Sequence, residues 1–261
     1  MEFLKDIWEI AVKYRVQLLS GLGYTMLIAL VGTLIGLLIG LLTGVIRTAP
    51  KSKNAVLRVL HKILNGILAV YIEVFRGTPM MVQSMVIFWG YAFLNGGKTL
   101  PLIPAGIFIV SINTGAYMSE IVRGGIISVD KGQMEGAYSV GMTHAQAMLH
   151  VVITQALRNI LPSVSNEFVI NIKDTSVLNV IGVMELYYMA GVIVRNTFEN
   201  FQTYLIICVI YFIMTFTVTR ILRFAEKKLE GSSSYTICGS QSDPEAEIHI
   251  KKEAEHDGQY N

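Results

Sequence analysis

Charge is the first thing this chain is short of. Of its 261 residues only 15% are Asp, Glu, Lys or Arg, against about a quarter in a soluble globular domain. Cysteine is scarce as well: Cys208 sits in an apolar run and Cys238 in a polar one, which excludes a disulfide framework and any cysteine metal spacing. The five histidines, His61, His144, His150, His249 and His256, form no H-E-x-x-H or comparable ligand pattern, so no metal site is expected. No Ser-His-Asp arrangement can be assembled, and no catalytic residue is assigned. Gly96-Gly97-Lys98-Thr99 imitates the end of a phosphate-binding loop, but Ala92 stands where that loop needs glycine and an apolar run precedes it, so it is read as a short turn. A continuous apolar leader is missing too. Residues 1–20 mix Lys5, Asp6, Glu9, Lys13 and Arg15 with Phe3, Ile7, Trp8 and Ile10, an amphipathic pattern expected to lie as a helix along a membrane surface.

What the chain has in abundance is apolar sequence, at 52%, and it comes in blocks. Gly23–Ile46 carries no charge and is long enough to cross a hydrocarbon core, which takes about 20 helical residues. Pro79–Asn95, Leu100–Ser119, Phe201–Thr219 and a weaker run over Ile160–Val183 follow. Ile63–Phe75 is ambiguous: counted alone it makes six spans, and fused to Pro79–Asn95 through a break at Arg76, Gly77 and Pro79 it leaves five. Charge decides. Arg47, Lys51, Lys53, Arg58 and Lys62 follow the first span, and Arg220, Arg223, Lys227 and Lys228 follow the last. Both clusters belong in the cytoplasm, which requires five spans and an N-terminus outside. The expectation is an all-α integral membrane helical bundle over residues 21–225, with a cytoplasmic loop at 124–160, Glu185–Glu199 outside, and a disordered cytoplasmic tail at 226–261.

Polar side chains inside the spans are the next signal. Asn113, Thr114, Ser119 and Glu120 fall on the third span; Asn166, Glu167, Lys173 and Asp174 fall on the fourth. A charge at the bilayer centre costs about 2.5–3.5 kcal/mol on insertion scales, so these residues should face the bundle interior or a water-filled substrate path. Glu120 and Glu167 would offer carboxylates to a cationic group, unless Glu120 is spent on Arg123 one turn on.

The long polar stretch between the third and fourth spans reads as a handle for another protein. Glu135, Gly136 and Ala137 begin it, Ala137 and Gly141 place small residues at i and i+4, and Met142, Ala145, Met148 and Leu149 make an apolar stripe. Glu135 suits the electropositive start of a helix.

That stretch resembles the EAA loop of ATP-binding-cassette importer permeases. Glu135, Ala137 and Gly141 match its pattern, and Val151 and Ile153 take its apolar positions. Gly136 replaces the middle alanine and Thr154 a proline. Glu73-x-x-Arg76-Gly77-Thr78-Pro79, Ala116-Tyr117-x-x-Glu120-x-x-Arg123-Gly124-Gly125-Ile126, and Asn166-x-Phe168 with Lys173-Asp174-Thr175-Ser176 resemble the signatures of its polar amino acid branch. The resemblance implies a type I importer (MetI-like) permease in a bacterial cell membrane, surrounded by membrane lipid and paired as a homodimer or with a second permease subunit. It implies an ATPase subunit docked on Glu135–Met148, with ATP and Mg bound there and no cofactor in this chain. It also implies an extracellular or periplasmic solute-binding protein, an amino acid substrate and no nucleic acid partner. An ion-coupled secondary carrier is the alternative; it would be supported by internal repeats, and none is evident.

Overall fold

The computed structural model describes residues 2–50, 54–229, 235–236 and 249–250. Its helices in chain order are α1 (Glu2–Lys13), α2 (Arg15–Thr48), α3 (Ala55–Gly77), α4 (Met80–Leu94), α5 (Leu102–Ser128), α6 (Lys131–Ser139), α7 (His144–Ala147), α8 (Ile153–Asp174), α9 (Leu186–Thr197) and α10 (Asn200–Leu229). A π turn, Met148–Val152, joins α7 to α8, and a 3₁₀ turn, Thr175–Ile181, extends α8. Tyr235–Thr236 pairs antiparallel with His249–Ile250. The expected tail otherwise lies largely outside the described residues, as do Lys51 and Lys53 of the first basic cluster; α10 itself runs through 226–229.

The spine is α2 packed on α5. Gly32 meets Val110, Gly36 meets Thr114, Gly40 meets Met118 and Gly44 meets Val122. The partners advance together, so the two helices run parallel. Glycines at every fourth position make one face without side chains; a Cβ on Gly36 would stand 2.8 Å from the Thr114 Cβ, closer than packing allows. Two parallel spans require the chain between them to return once. That return is α3–α4, and the antiparallel α8 is seen from Ile160 against Gly125 and Asn171 against Thr114.

Four helices, α2, α3, α5 and α10, are each long and apolar enough to cross a membrane, and α8 with α9 makes a fifth across a 53° bend. The α3–α4 break is real. Thr78 and Pro79 are extended, at φ −125°, ψ 148° and φ −64°, ψ 134°, as a residue before proline must be. Gly77 ends α3 without a positive φ, so the proline, not the glycine, makes the break.

The amphipathic first helix divides its apolar residues: Phe3 stacks on Phe201, and Ile7, Ile10 and Tyr14 join a core with Leu186, Ala190 and Ile193, while Leu4, Trp8 and Val12 stay exposed. Its hydrogen bonding passes into α2, from Tyr14 N to Ile10 O and from Leu18 N to Tyr14 O. The stretch 185–199 carries α9, which folds back against α2 and α10. Fully buried Glu185 caps it, accepting from the Tyr187 and Tyr188 amides at 2.7 Å each and from the Tyr211 hydroxyl at 3.1 Å.

Candidate functional site

At the end of the bundle where α5 finishes and α8 begins, α6, α7 and the π turn form a compact hairpin. Asp130 caps α6 by accepting from the Gly132 amide. The helix then stops: the Gly141 amide donates to Tyr138 O at 2.9 Å, the Met142 amide donates to Ala137 O at 3.1 Å, and Gly141 has φ +86°. This is a Schellman end with Gly141 in the left-handed position. Thr143 and Gln146 then start α7 with a reciprocal capping box.

The expected single helix with Ala137 and Gly141 on one face is therefore replaced by two helices at a turn. Ala137 and Met148 point inward. Met148 packs with Val122, Ile126, Val152, Ala156 and Ile160, which roots the hairpin on α5 and α8. Gln155 donates to Gln133 Oε1 at 3.1 Å, and Asn159 donates to Ser128 Oγ at 3.1 Å. The exposed surface includes Glu135, Gly136, Tyr138, Val140, Gly141, Ala145 and Leu149, beside polar Lys131, Gln133, Ser139, Thr143, Gln146 and His150, with Met142 half-buried. Val140 at 75% and Leu149 at 59% exposure are apolar side chains that no part of the described chain covers.

Within the bundle the predicted polar residues separate into groups. Asn171 donates to Thr33 Oγ1 at 2.8 Å and shares hydrogen bonds of 2.9 and 3.1 Å with Thr114, tying α2, α5 and α8 together. Ser119 bonds Thr43 across α2 and α5, and donates to Gly115 O at 2.6 Å. Asn113 donates to Gln83 Oε1 at 2.8 Å, and the Gln83 amide donates to Phe75 O, Thr78 O and Thr78 Oγ1 at 2.8–2.9 Å. That pair satisfies the carbonyls freed by the α3–α4 break. Glu120 is held by Arg47 on one oxygen and by Arg123 on the other, the latter at 2.8 Å and 3.0 Å. The local Arg123 pairing holds, and Arg47 completes it. Thr33, Thr43 and Gln83 have no sequence-based expectation, and Arg47 has one only as part of the first basic cluster; Thr33 and Thr43 flank the glycine face of α2, which is the available signal.

Glu167, Asp174, Lys173 and Arg76 remain without such partners. Glu167 is 4% exposed with no hydrogen bond or ion pair among the described residues, and it feels the charges of Asp174 and Arg76. Arg76 lies over the Tyr117 ring at 5.6 Å, at the middle of α5. Lys173 opens instead toward α9 and α10, beside Tyr187, Tyr204 and Tyr211. Asn166 is exposed in a groove against α10. No group of three or more metal-ligating side chains occurs among the described residues.

A bundle with parallel glycine-packed spans, an unpartnered mid-depth charge cluster and a rigid exposed hairpin at one end has the build of a multi-pass transport permease. The chain belongs to the family of binding-protein-dependent transport system inner membrane components, whose pattern matches residues 36–231. It is similar to a probable glutamine ABC transporter permease of Bacillus subtilis (strain 168), 34% identical over 68% of this chain and 82% of the relative. It is also similar to an L-cystine transport system permease of the same organism, 38% identical over 64% of this chain and 71% of the relative. Among solved structures it resembles an amino acid ABC transporter crystallised with histidines, at TM-score 0.71 and 38% identity, over 84% of this chain and 96% of that one. A methionine ABC transporter at 16% identity and TM-score 0.63 shares the fold, over 81% of this chain and 97% of that one. The chain is thus a multi-pass inner-membrane permease component of type I importer fold.

Proposed function

We propose that this permease moves a polar amino acid into the cell, driven by ATP hydrolysis on a separate ATPase subunit that grips the α6–α7 hairpin. The observation that carries this reading is the hairpin itself: small and apolar side chains stand exposed on a turn whose other face is anchored to α5 and α8. A rigid lever of that kind passes movement at its tip to the spans it is rooted on. ATP and Mg then belong to the partner, and no catalytic step is assigned to this chain. Arg47, Arg123 and the hairpin share one end of the bundle, and the positive-inside rule puts that end in the cytoplasm. The N-terminus is then outside, where a solute-binding protein delivers cargo, and the C-terminus inside.

One chain forms half a passage, completed by a second copy or a sister permease. Glu167, Asp174 and Arg76 line it at mid-depth, because charges without internal partners need water or cargo there. Asn113, Thr114, Ser119 and Glu120 hold the helices around it. The names of the glutamine and cystine relatives support amino acid cargo.

The test is reconstitution of the permease with its ATPase and binding protein in vesicles. The expected result is uptake of labelled glutamine, cystine or histidine that requires internal or external ATP on the hairpin side. Uptake driven by an ion gradient with the ATPase absent would overturn the proposal.

A further inference from the structure

Between α8 and α10 a groove of ≈ 240 Å³ runs along the bundle, lined by Pro162, Ser165, Asn166, Thr219, Arg223 and Glu226 among others. Its depth is fixed by its neighbours. Ile160 lies against Gly125, two residues past Arg123, so the Pro162 end stands level with the Arg47–Glu120–Arg123 cluster, at the rim of the apolar spans. Val169 and Leu222, both half-buried, give it apolar lining, and Asn166 and Arg223 stand exposed along it.

Three features of the rim are unspent. Arg223 has no acid within 4 Å and no hydrogen bond among the described residues, although Glu226 is one turn away. Asn166 is exposed and Ser165 half-buried, and neither side chain has a hydrogen-bond partner among the described residues. Around them α10 adds Arg220, Lys227 and Lys228, so among the described residues the end of α10 is cationic, with Glu226 as its acid.

From this geometry we infer that the α8–α10 groove is a seat for one anionic phospholipid of the same leaflet. Its phosphate takes Arg223, its glycerol and headgroup oxygens take Asn166 and Ser165, and an acyl chain lies along Val169 and Leu222. An exposed cation and amide beside apolar lining at this depth fit an amphiphile of opposite charge better than a free anion or a neutral lipid. Because α8 also roots the hairpin, a lipid in this seat sits against the helix that carries the lever. The seat does not depend on which amino acid is carried.

The experiment is native mass spectrometry of the purified permease assembly with phosphatidylglycerol, phosphatidylcholine and inorganic phosphate as probes. Phosphatidylglycerol should be retained over phosphatidylcholine, with phosphate failing to displace it. Arg223→Gln should weaken retention about fivefold, in line with one basic residue at an anionic lipid surface. Glu226→Gln should strengthen it, an opposite change that misfolding cannot mimic. Lys227→Gln, outside the groove lining, should change retention less than Arg223→Gln. Equal retention of the two lipids, or equal loss with Lys227→Gln, would overturn the seat. So would a crosslink from Asn166 to the second permease in place of lipid.

Discussion

Asn171 on α8 donates to Thr33 on α2 across the centre of the bundle, at 2.8 Å. The same amide reaches Thr114 on α5, so one buried side chain joins three spans that share no sequence neighbourhood. Intramembrane hydrogen bonds of this kind are worth about 0.6–2 kcal/mol each. Asn171→Ala should therefore lower stability by about 1–2 kcal/mol, read as a fall in the thermal midpoint of the detergent-solubilised protein. An unchanged midpoint would show that the network holds nothing.

The α2–α5 contact makes a sharper prediction. Gly36→Leu drives a side chain into Thr114, while a Cβ on exposed Gly23 meets nothing within 4 Å, so Gly23→Leu points away from the packing. The first should abolish a monodisperse, folded protein and the second should leave it intact. Size-exclusion profiles after solubilisation compare them directly, and equal profiles would contradict the parallel packing.

Glu120 is held by two arginines, so removing its charge should act on structure. Glu120→Gln and Arg47→Ala should each destabilise, and the double variant should cost less than the sum by about 1 kcal/mol, as coupled partners do. A double-mutant cycle on thermal stability measures this. Additivity would show that the pair is idle.

Glu167 is expected to behave in the opposite way. Having no partner to lose, Glu167→Gln should leave the thermal midpoint within about 0.5 kcal/mol of the parent, the scale of a substitution that breaks no packing or network. ATP-dependent uptake in vesicles should fall at least tenfold. Full uptake would remove Glu167 from the passage.

Much of this was legible before the fold. The five-span parity followed from where Arg47 and Arg220 sit, and the parallel α2 and α5 agree with it. Pro79 announced the α3–α4 break because a proline leaves an amide donor out of any helix. The hairpin differs from the expected single helix for a physical reason. Helical periodicity extends across Gly141, but a glycine followed by an apolar residue is also the mark of a helix end, and the chain takes that choice. Glu120 showed its local partner Arg123, but Arg47 is brought beside it only by the register of two helices. Gln83 was invisible because its task, capping a broken helix, exists only once the break has a shape.

The central claim is that the exposed face of the hairpin is where a nucleotide-hydrolysing partner takes hold. Gly136 is exposed, and a Cβ there meets nothing within 4 Å, so Gly136→Arg alters that face without disturbing the bundle. Reconstituted with its ATPase and binding protein, the variant should insert and melt like the parent but lose cargo-stimulated ATP hydrolysis. Parental stimulation of hydrolysis by Gly136→Arg would contradict the account.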